Sequence, residues 1–279
     1  MKQILPFIKI IRFQNALIAG IAVLLGFWLS RSQQSTLTLL LLFTTAFMST
    51  GFGNIINDIR DLTSDMISHP NRPLPQQEMT ISTAWIYCII LLILSLLFSF
   101  SISFTHGIAT LIPLIILAIY SFYLKGTPLI GNLVVASLVA YPILFGAINA
   151  IGFTTLLIPA ALAFLLNISR EIIKDIQDED GDRAASISTS AILSATTLRL
   201  LIYSSTLLYF CLLFVPSIKG DFGKIYIIIC LFLILPIHLL RTFLLQSRNW
   251  KNHLSKISFL YKIEMICGLL SLAADRFVS

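Results

Sequence analysis

The sequence predicts an all-α, polytopic integral membrane protein: a bundle of nine transmembrane helices with a cytoplasmic cap, folded as one domain over residues 1–279. Hydrophobic residues make up 57% of the chain and charged residues only 11%, whereas a typical soluble domain is about 25% charged. Apolar runs of about 20 residues, the length that crosses a bilayer, recur to the end of the chain. The sequence has no basic cluster with interleaved aromatic residues, so membrane lipids and not nucleic acid are the expected surroundings.

The first predicted span, residues 15–30, follows a basic segment that contains Lys2, Lys9 and Arg12. This order resembles a signal peptide, but no clear small-residue cleavage site follows it and further apolar spans do. We therefore expect a retained first helix. The other eight predicted spans cover residues 36–57, 81–104, 107–123, 129–150, 153–174, 196–215, 225–243 and 257–274.

The loop after the second span, residues 69–75, reads His-Pro-Asn-Arg-Pro-Leu-Pro. Its three prolines prevent a helix from continuing and stiffen an extended cap. Arg72 lies in this cap, near the carboxylates that end the second span. The loop histidine His69 has no visible partner and receives no predicted role. The other three histidines, including His238, form no pattern.

Loop charges place the N-terminus on the cytoplasmic side, because Lys and Arg accumulate on that side of a membrane. With this orientation and nine spans, 15 of the 19 Lys and Arg residues fall on the inner side. The second and sixth spans both end there. A site at their ends is therefore expected at the cytoplasmic interface, within reach of water-soluble metal ions and phosphate groups.

The acidic residues are concentrated in two windows, one at the end of the second span and one at the end of the sixth. The first motif is Asp58, Asp61 and Asp65, and its spacing is repeated 117 positions later by Asp175, Asp178 and Asp182. On a continuous helix, positions i, i+3 and i+7 fall within an arc of about 60°, so each motif would form one acidic face. An even number of spans separates the motifs. We expect the two faces to run parallel and to form one pocket across the bundle.

Six carboxylates close together in a low-dielectric environment repel one another, and a divalent cation usually offsets this repulsion. Mg²⁺ is favoured if a phosphate group shares its coordination. A diphosphate ester fits two opposed carboxylate sets, because Mg²⁺ bridges the oxygens while Arg or Lys takes up charge as the carbon–oxygen bond breaks. With an allylic prenyl diphosphate, the apolar bundle would hold the prenyl tail and keep water from the carbocation.

Three strings of this sequence resemble signatures of the UbiA superfamily of intramembrane prenyltransferases: Asn57-Asp58-x-x-Asp61-x-x-x-Asp65, Asp175-x-x-Asp178-x-x-x-Asp182 and Arg72-Pro73-Leu74-Pro75. That family is a nine-helix bundle with both motifs on the cytoplasmic side, so the resemblance covers nearly the whole chain. It implies that Asn57 and the six aspartates bind Mg²⁺ and diphosphate, and that the cap carrying Arg72 closes over them. Asp58, Asp61, Asp175 and Asp178 are implied to be catalytic.

The same resemblance assigns a catalytic contact with diphosphate to Lys125, which follows the fourth span. The family often has a tyrosine four residues before this lysine. Here Tyr120 is five residues before Lys125 and Tyr123 is two residues before it. Either tyrosine is therefore a candidate for substrate binding, and the departure from the family spacing leaves the choice open.

Four more polar residues are candidates for substrate binding. Arg12 and Asn15 resemble the first-helix arginine and asparagine of the family. Arg170 and Lys174 lie one helical turn apart beside the second motif. They could contact the diphosphate or the acceptor, or they could anchor the helix end at the membrane interface.

Within the family, the strings around both motifs look most like the branch that transfers a prenyl group to a hydroxyl of geranylgeranylglycerol phosphate in ether-lipid synthesis. The first string is Asn-Ile-Ile-Asn-Asp, ending at Asp58, and the second is Arg-Glu-Ile-Ile-Lys-Asp, ending at Asp175. Aromatic and quinone-precursor prenyltransferases share most of this pattern and are the alternative. Acceptor identity, prenyl chain length and oligomeric state do not follow from the sequence.

Two other functional hypotheses, a transporter and a scaffold, are alternatives to a prenyltransferase. Intramembrane acidic residues also mark ion pathways, so the chain could be a divalent-cation transporter. However, transport sites tend to lie near the bilayer midplane on broken helices of inverted repeats, whereas these motifs end spans and run parallel. A scaffold with solvated acidic loops would leave the duplicated spacing to chance. We therefore expect an enzyme.

Overall fold

The computed structural model describes residues 4–32 and 35–278, and throughout these ranges the regular elements are helical, with no strand. Lys2 of the predicted basic leader lies outside the described residues. Helices α1 to α14 cover Leu5–Ile10, Phe13–Leu29, Thr36–Arg60, Leu62–Ser68, Ile81–Ile102, Phe104–Ile119, Ile130–Phe145, Leu157–Gln177, Glu179–Ala184, Ala195–Leu213, Val215–Ile218, Lys224–Ile229, Leu235–Gln246 and Leu254–Val278. Two π segments, Tyr120–Leu124 and Cys230–Ile234, and three 3₁₀ segments, Ile151–Leu156, Ser190–Ile192 and Trp250–His253, complete the helical elements.

A helix occupies each of the nine predicted spans, which confirms an all-helical, multi-pass membrane protein. Seven of these helices are long and apolar enough to cross a membrane. The two shorter apolar helices, Phe13–Leu29 and Ile130–Phe145, occupy the first and fifth predicted spans. The count of nine crossings therefore stays a prediction.

The two shorter helices, α2 and α7, cross each other in close backbone contact. A Cβ added to Gly26 would collide with the backbone carbonyl of Ile143, and one added to Gly146 would collide with the carbonyl of Val23. Small residues allow this approach between membrane helices. The fifth predicted span was too long at its end: α7 stops at Phe145, and a turn through Asn149, at a φ of 64°, leads to the next helix.

Four of the long helices begin at a hydroxyl side chain that caps the N-terminus. The side chains of Ser35, Thr80, Ser103 and Ser194 accept a hydrogen bond from the backbone N–H three residues later. Such caps satisfy N–H groups that the helix itself leaves without a partner. They explain why α3, α5, α6 and α10 start close to the predicted positions.

Helix α5 shows how the bundle divides its surface between lipid and core. One face buries Ala84, Cys88, Leu91, Ser95 and Ser99 against α3 and α6. The opposite face exposes large apolar side chains at helical spacing, namely Ile86, Ile89, Ile90, Ile93 and Leu97. An apolar surface of this size is typical of contact with membrane lipids.

Each acidic motif occupies a joint between a long helix and a short one. Asp61 joins α3 to α4, and Asp178 joins α8 to α9, with nearly equal dihedral angles (φ −89°, ψ 4° and φ −93°, ψ 3°). The acidic face was expected for a helical motif, and each helix is interrupted at its middle aspartate. The hydrogen-bond ladder still passes the joint, since the Asp61 and Asp178 N–H groups donate to carbonyls four residues earlier at 2.8 and 2.9 Å. In the first motif Asp58 and Asp65 stay close together, because Arg72 contacts both.

A second charged cluster is buried between α10, α13 and α14, away from both motifs. Arg241 Nε donates to Glu264 Oε2 at 3.0 Å, and His238 Nδ1 lies 2.9 Å from Glu264 Oε1. A second Arg241 nitrogen donates to Thr206 at 3.3 Å, and its guanidinium lies 3.9 Å from the ring centre of Tyr261. Arg241 and Glu264 are completely buried. His238, which had no predicted role, thus has a structural partner in Glu264.

Candidate active site

The structure brings the two acidic motifs together at the joined ends of α3–α4 and α8–α9. Ser64 Oγ donates to Asp182 Oδ1 at 2.8 Å, and His69 Nε2 lies 3.1 Å from Asp178 Oδ1. The short helices α4 and α9 pack closely at Gly181, where an added Cβ would collide with Ser64 and Ser68. The two motifs therefore line one site.

Two arginines neutralise the carboxylates of the first motif. Arg12 donates to Asp58 Oδ1 at 2.5 Å, and Arg72 donates to Asp65 Oδ2 at 2.5 Å and to Asp58 at 3.4 Å. Asp58 and Asp65 are almost completely buried. Because a charge-assisted hydrogen bond is roughly twice as strong as a neutral one, these pairs hold both arginines at the acidic faces.

The backbone places these arginines from two different loops. Arg12 separates α1 from α2 and has a left-handed conformation, at φ 49° and ψ 62°. The Asn54 amide donates to the carbonyl of Ile11 at 2.8 Å, which ties this break to α3. The loop that carries Arg72 is a series of turns and is fixed to the core by buried Leu74. The sequence did not predict the role of Asn54.

The second motif is held by residues from helices that the sequence did not connect with it. Asp175 accepts hydrogen bonds from the Asn132 amide at 2.9 Å and from the Ser190 backbone N–H at 3.1 Å. Glu171, one turn earlier on α8, contacts Arg170 at 2.9 Å and Lys174 at 2.8 Å. Neither Asn132 nor Ser190 belongs to a motif that marks an acidic site, so no sequence signal identifies them.

Lys125 connects the two motifs. Its Nζ lies 2.6 Å from Asp61 Oδ1 and 3.9 Å from Asp182 Oδ1. The π segment before it explains the unusual spacing to Tyr120, since the Lys125 N–H donates at 2.9 Å to the Tyr120 carbonyl, five residues earlier. A π turn holds one residue more than an α turn. Tyr120 and Lys125 are therefore one turn apart, as two residues four positions apart are in an α-helix.

The two tyrosine candidates lie in different places. Tyr123 is 78% exposed and lines a second pocket together with Asp61 and Lys125, while Tyr120 lines the cavity described below. The Asn57 side chain accepts a hydrogen bond from Ser121. The prediction that His69 has no partner is wrong, because the loop folds back and brings its ring to Asp178.

Burial and charge shift the pKa values of the aspartates outside the spans. Burial raises the pKa of Asp65, and Arg72 offsets part of this effect. Burial also raises the pKa of Asp182 despite Lys125 and Ser64. At Asp178 the effect of burial is outweighed by the hydrogen bond and charge of His69, so the pKa is lowered. Asp65 and Asp182 thus lack full compensation for their charge, which favours the approach of further cations.

An apolar cavity of about 330 Å³ lies within the bundle. Its lining includes the site candidates Asn57, Tyr120 and Arg170 and the aliphatic side chains of Leu213 and Leu272. Asn15 of α2 also contributes to the wall. None of the six aspartates lines the cavity, but Asn57 directly precedes Asp58 in the chain, so the wall includes an immediate neighbour of the first motif.

The carboxylates of the site suit a metal ion that takes its remaining ligands from a bound substrate. In the part of the chain that the structure describes, no group of three or more His, Cys, Asp or Glu side chains could hold a metal ion by itself. The carboxylates instead contact Arg12, Arg72, Lys125 and His69. Mg²⁺ is usually bound through one or two carboxylates, with waters and substrate phosphates as the remaining ligands.

Comparison with known proteins adds independent information. The model of the UbiA prenyltransferase family matches residues 19–263. Digeranylgeranylglyceryl phosphate synthase of Methanosphaera stadtmanae is 34% identical over 272 residues, which cover 96% of this chain and 98% of that protein.

Solved structures share the fold. A structure of digeranylgeranylglyceryl phosphate synthase matches with a TM-score of 0.80 at 28% identity and covers 100% of both chains. A UbiA homolog from Archaeoglobus fulgidus, solved bound to DMAPP and Mg²⁺, matches with a TM-score of 0.67 at 20% identity, covering 96% of this chain and 99% of that chain. At this lower identity the match supports the common fold alone.

Proposed function

Because the chain belongs to the UbiA prenyltransferase family, we propose that it transfers a prenyl group from an allylic prenyl diphosphate to a hydroxyl of geranylgeranylglycerol phosphate. Family membership makes the chain a membrane prenyltransferase and disfavours the divalent-cation transporter. The acceptor is inferred from its similarity to digeranylgeranylglyceryl phosphate synthases. An aromatic or quinone-precursor acceptor is the alternative.

The observation that supports this proposal is the meeting of two acidic motifs close to residues that line an apolar cavity, namely Asn57, Tyr120 and Arg170. Lys125 contacts Asp61 of the first motif and approaches Asp182 of the second. A diphosphate bound there could contact both motifs while its prenyl tail enters the cavity.

The aspartates of both motifs would hold Mg²⁺, which supplies charge stabilisation for the departing diphosphate. Asp58, Asp61, Asp65, Asp175, Asp178 and Asp182 are the proposed ligands. A low-dielectric site within the bundle would strengthen each of these electrostatic contacts.

The basic side chains of the site have a second proposed role, in binding the diphosphate. Arg12, Arg72 and Lys125 contact the carboxylates in this structure. If Mg²⁺ balanced the charges of the carboxylates, the same three side chains would be free to donate hydrogen bonds to the diphosphate oxygens with little movement. They would then stabilise the charge that develops on the leaving group. Their fixed positions reduce the reorganisation that this step requires.

The cavity would exclude water from the reacting carbon. Its wall is mostly aliphatic and includes Leu138, Leu162 and Leu166. Water in contact with an allylic carbocation would capture it and yield an alcohol, so an apolar channel favours transfer to the intended acceptor. We further propose nine crossings, one domain and a site on the cytoplasmic side, which the distribution of Lys and Arg supports.

An assay with a panel of acceptors tests this function. Purified protein in detergent is incubated with labelled geranylgeranyl diphosphate and either geranylgeranylglycerol phosphate or aromatic acceptors, with Mg²⁺ or with excess EDTA. We expect a product whose mass equals the glycerol phosphate acceptor plus one geranylgeranyl group, and loss of that product in EDTA that added Mg²⁺ restores. Product from the aromatic acceptors alone would overturn the proposed acceptor, and full activity in EDTA would overturn the metal dependence.

Lys125→Ala should raise the KM for the prenyl diphosphate by roughly 10- to 100-fold, the range expected for loss of one hydrogen bond to a charged group. The matched control is Lys251→Ala, which removes an exposed lysine from the 3₁₀ segment before α14. Steady-state kinetics at saturating acceptor measure the effect. If the KM for the prenyl diphosphate were the same in both variants, Lys125 would not belong to the diphosphate site.

A further inference from the structure

A pair of cations on α8 and α14 lies beside the acidic site without a role in holding it together. Arg170 belongs to α8 and Lys262 to α14, and both line the apolar cavity. Arg170 is a candidate for contact with either substrate. Lys262 belongs to no motif and was identified only from its position in the structure.

The contacts between α8 and α14 place these residues opposite each other. Gln177 donates to Ser255 at 3.1 Å, and Asn167 donates to the sulfur of Met265 at 3.0 Å. Arg170 is seven residues before Gln177 and Lys262 is seven residues after Ser255, while Asn167 and Met265 are three residues away on the other side. Because the two helices run antiparallel, this register sets Arg170 and Lys262 at the same depth.

The protein balances the charges of this pair only in part. Glu171 contacts Arg170 and Lys174, so one carboxylate faces two cations. Lys262 has no carboxylate within salt-bridge distance among residues 4–32 and 35–278. The Nε atom of Arg170 is buried and lacks a hydrogen-bond partner within the described structure. Arg170, Lys262 and Glu171 together thus carry one excess positive charge in a partly buried position, and Lys174 shares the same Glu171 carboxylate.

We propose that Arg170 and Lys262 bind the phosphate monoester of the acceptor. This inference rests on the proposed function and deepens it. A phosphate monoester carries a charge of about −1.5 to −2 at neutral pH, which complements the excess positive charge. Arg170 offers a directed fork of donors and Lys262 a mobile point charge.

The position of the pair suits an acceptor and not the diphosphate. Arg170 lies five residues before Asp175 on α8, which corresponds to about 7 Å along the helix axis. The acceptor phosphate would therefore lie deeper in the cavity than the diphosphate, and would hold the neighbouring glycerol hydroxyl toward the prenyl carbon. The same contact would distinguish phosphorylated glycerol ethers from neutral ones, since only a phosphorylated acceptor brings an anion to this partly buried cation pair.

Lys262→Ala tests the proposal through substrate preference. We expect the KM for geranylgeranylglycerol phosphate to rise roughly 10- to 100-fold, with little change in the KM for geranylgeranyl diphosphate. The preference for geranylgeranylglycerol phosphate over its dephosphorylated form, measured as a ratio of kcat/KM values, should fall by a similar factor. Lys256→Ala, which removes an exposed lysine from the same helix, should leave both quantities unchanged.

The outcomes separate this inference from the proposed function. If the wild-type protein makes no product from geranylgeranylglycerol phosphate, the proposed acceptor fails and this subsite fails with it. If the wild type makes that product but Lys262→Ala keeps its acceptor KM and phosphate preference, only the subsite is overturned. A rise in the KM for the prenyl diphosphate would instead assign the pair to the donor. Lys262→Met, which keeps an unbranched side chain, replaces the alanine variant if that variant does not purify as a folded protein.

Discussion

Asp178→Ala should reduce prenyl transfer by a factor on the order of 10²–10³, the loss typical for removal of one group that stabilises charge at a reacting centre. Asp178 lies at the joint of α8 and α9, is partly exposed, and contacts His69. Its carboxylate is proposed to hold Mg²⁺ and diphosphate, whereas it contributes little to the core. We therefore expect the rate to fall while the midpoint of thermal unfolding in detergent changes little.

The matched control for this variant is Asp180→Ala. Asp180 is two residues further along, on α9, and its side chain is exposed. Because an exposed carboxylate outside the motif is not expected to touch the ligands, the control should keep near wild-type activity. If Asp178→Ala kept wild-type activity, the assignment of Asp178 would be contradicted. If both variants lost activity to the same extent, the charge of the whole segment would matter more than the motif.

Glu264→Ala should lower the free energy of unfolding by about 3–5 kcal/mol, the cost usually found when one partner of a buried ion pair is removed. The change leaves Arg241 completely buried without its carboxylate partner and removes the contact with His238. The midpoint of thermal unfolding in detergent should therefore drop clearly. Activity of the molecules that remain folded should change far less, since this cluster does not line the acidic site.

A double replacement separates the loss of a pair from the loss of packing. Glu264→Leu combined with Arg241→Met removes both charges and keeps most of the side-chain volume. Such replacements of buried ion pairs are often neutral or stabilising, so the double variant should be more stable than Glu264→Ala. If the double variant were less stable than Glu264→Ala, the interactions within the charged cluster would themselves stabilise the packing of α13 against α14.

Much of the fold follows from the sequence because its strongest signals are local. An apolar run long enough to cross a bilayer forms a helix wherever it occurs, since unpaired backbone groups are too costly in lipid. The two motifs could also be recognised in the sequence, because each has three aspartates within eight residues. The joint at Asp61 was not predicted, because a single bent residue leaves no trace in a pattern of side chains.

Residues that act through distant partners were harder to predict. Asn132 and Ser190 reach Asp175 from helices that are 43 and 15 positions away in sequence. His238 and Glu264 are 26 positions apart. None of these three separations is a recurring spacing that sequence analysis could use. The role of His69 was missed for the same reason, since the turn that brings its ring to Asp178 depends on how the loop packs.

The π turn at Tyr120–Leu124 affects how sequences of different length are compared. A single-residue insertion in a regular helix rotates everything after it by about 100°, which would move Lys125 away from Asp61. A π turn absorbs such an insertion locally, so the residues after it keep their places on the helix. A homologue with its tyrosine four residues before the lysine, the spacing that the family resemblance implies, would present an equivalent pair through an ordinary α turn.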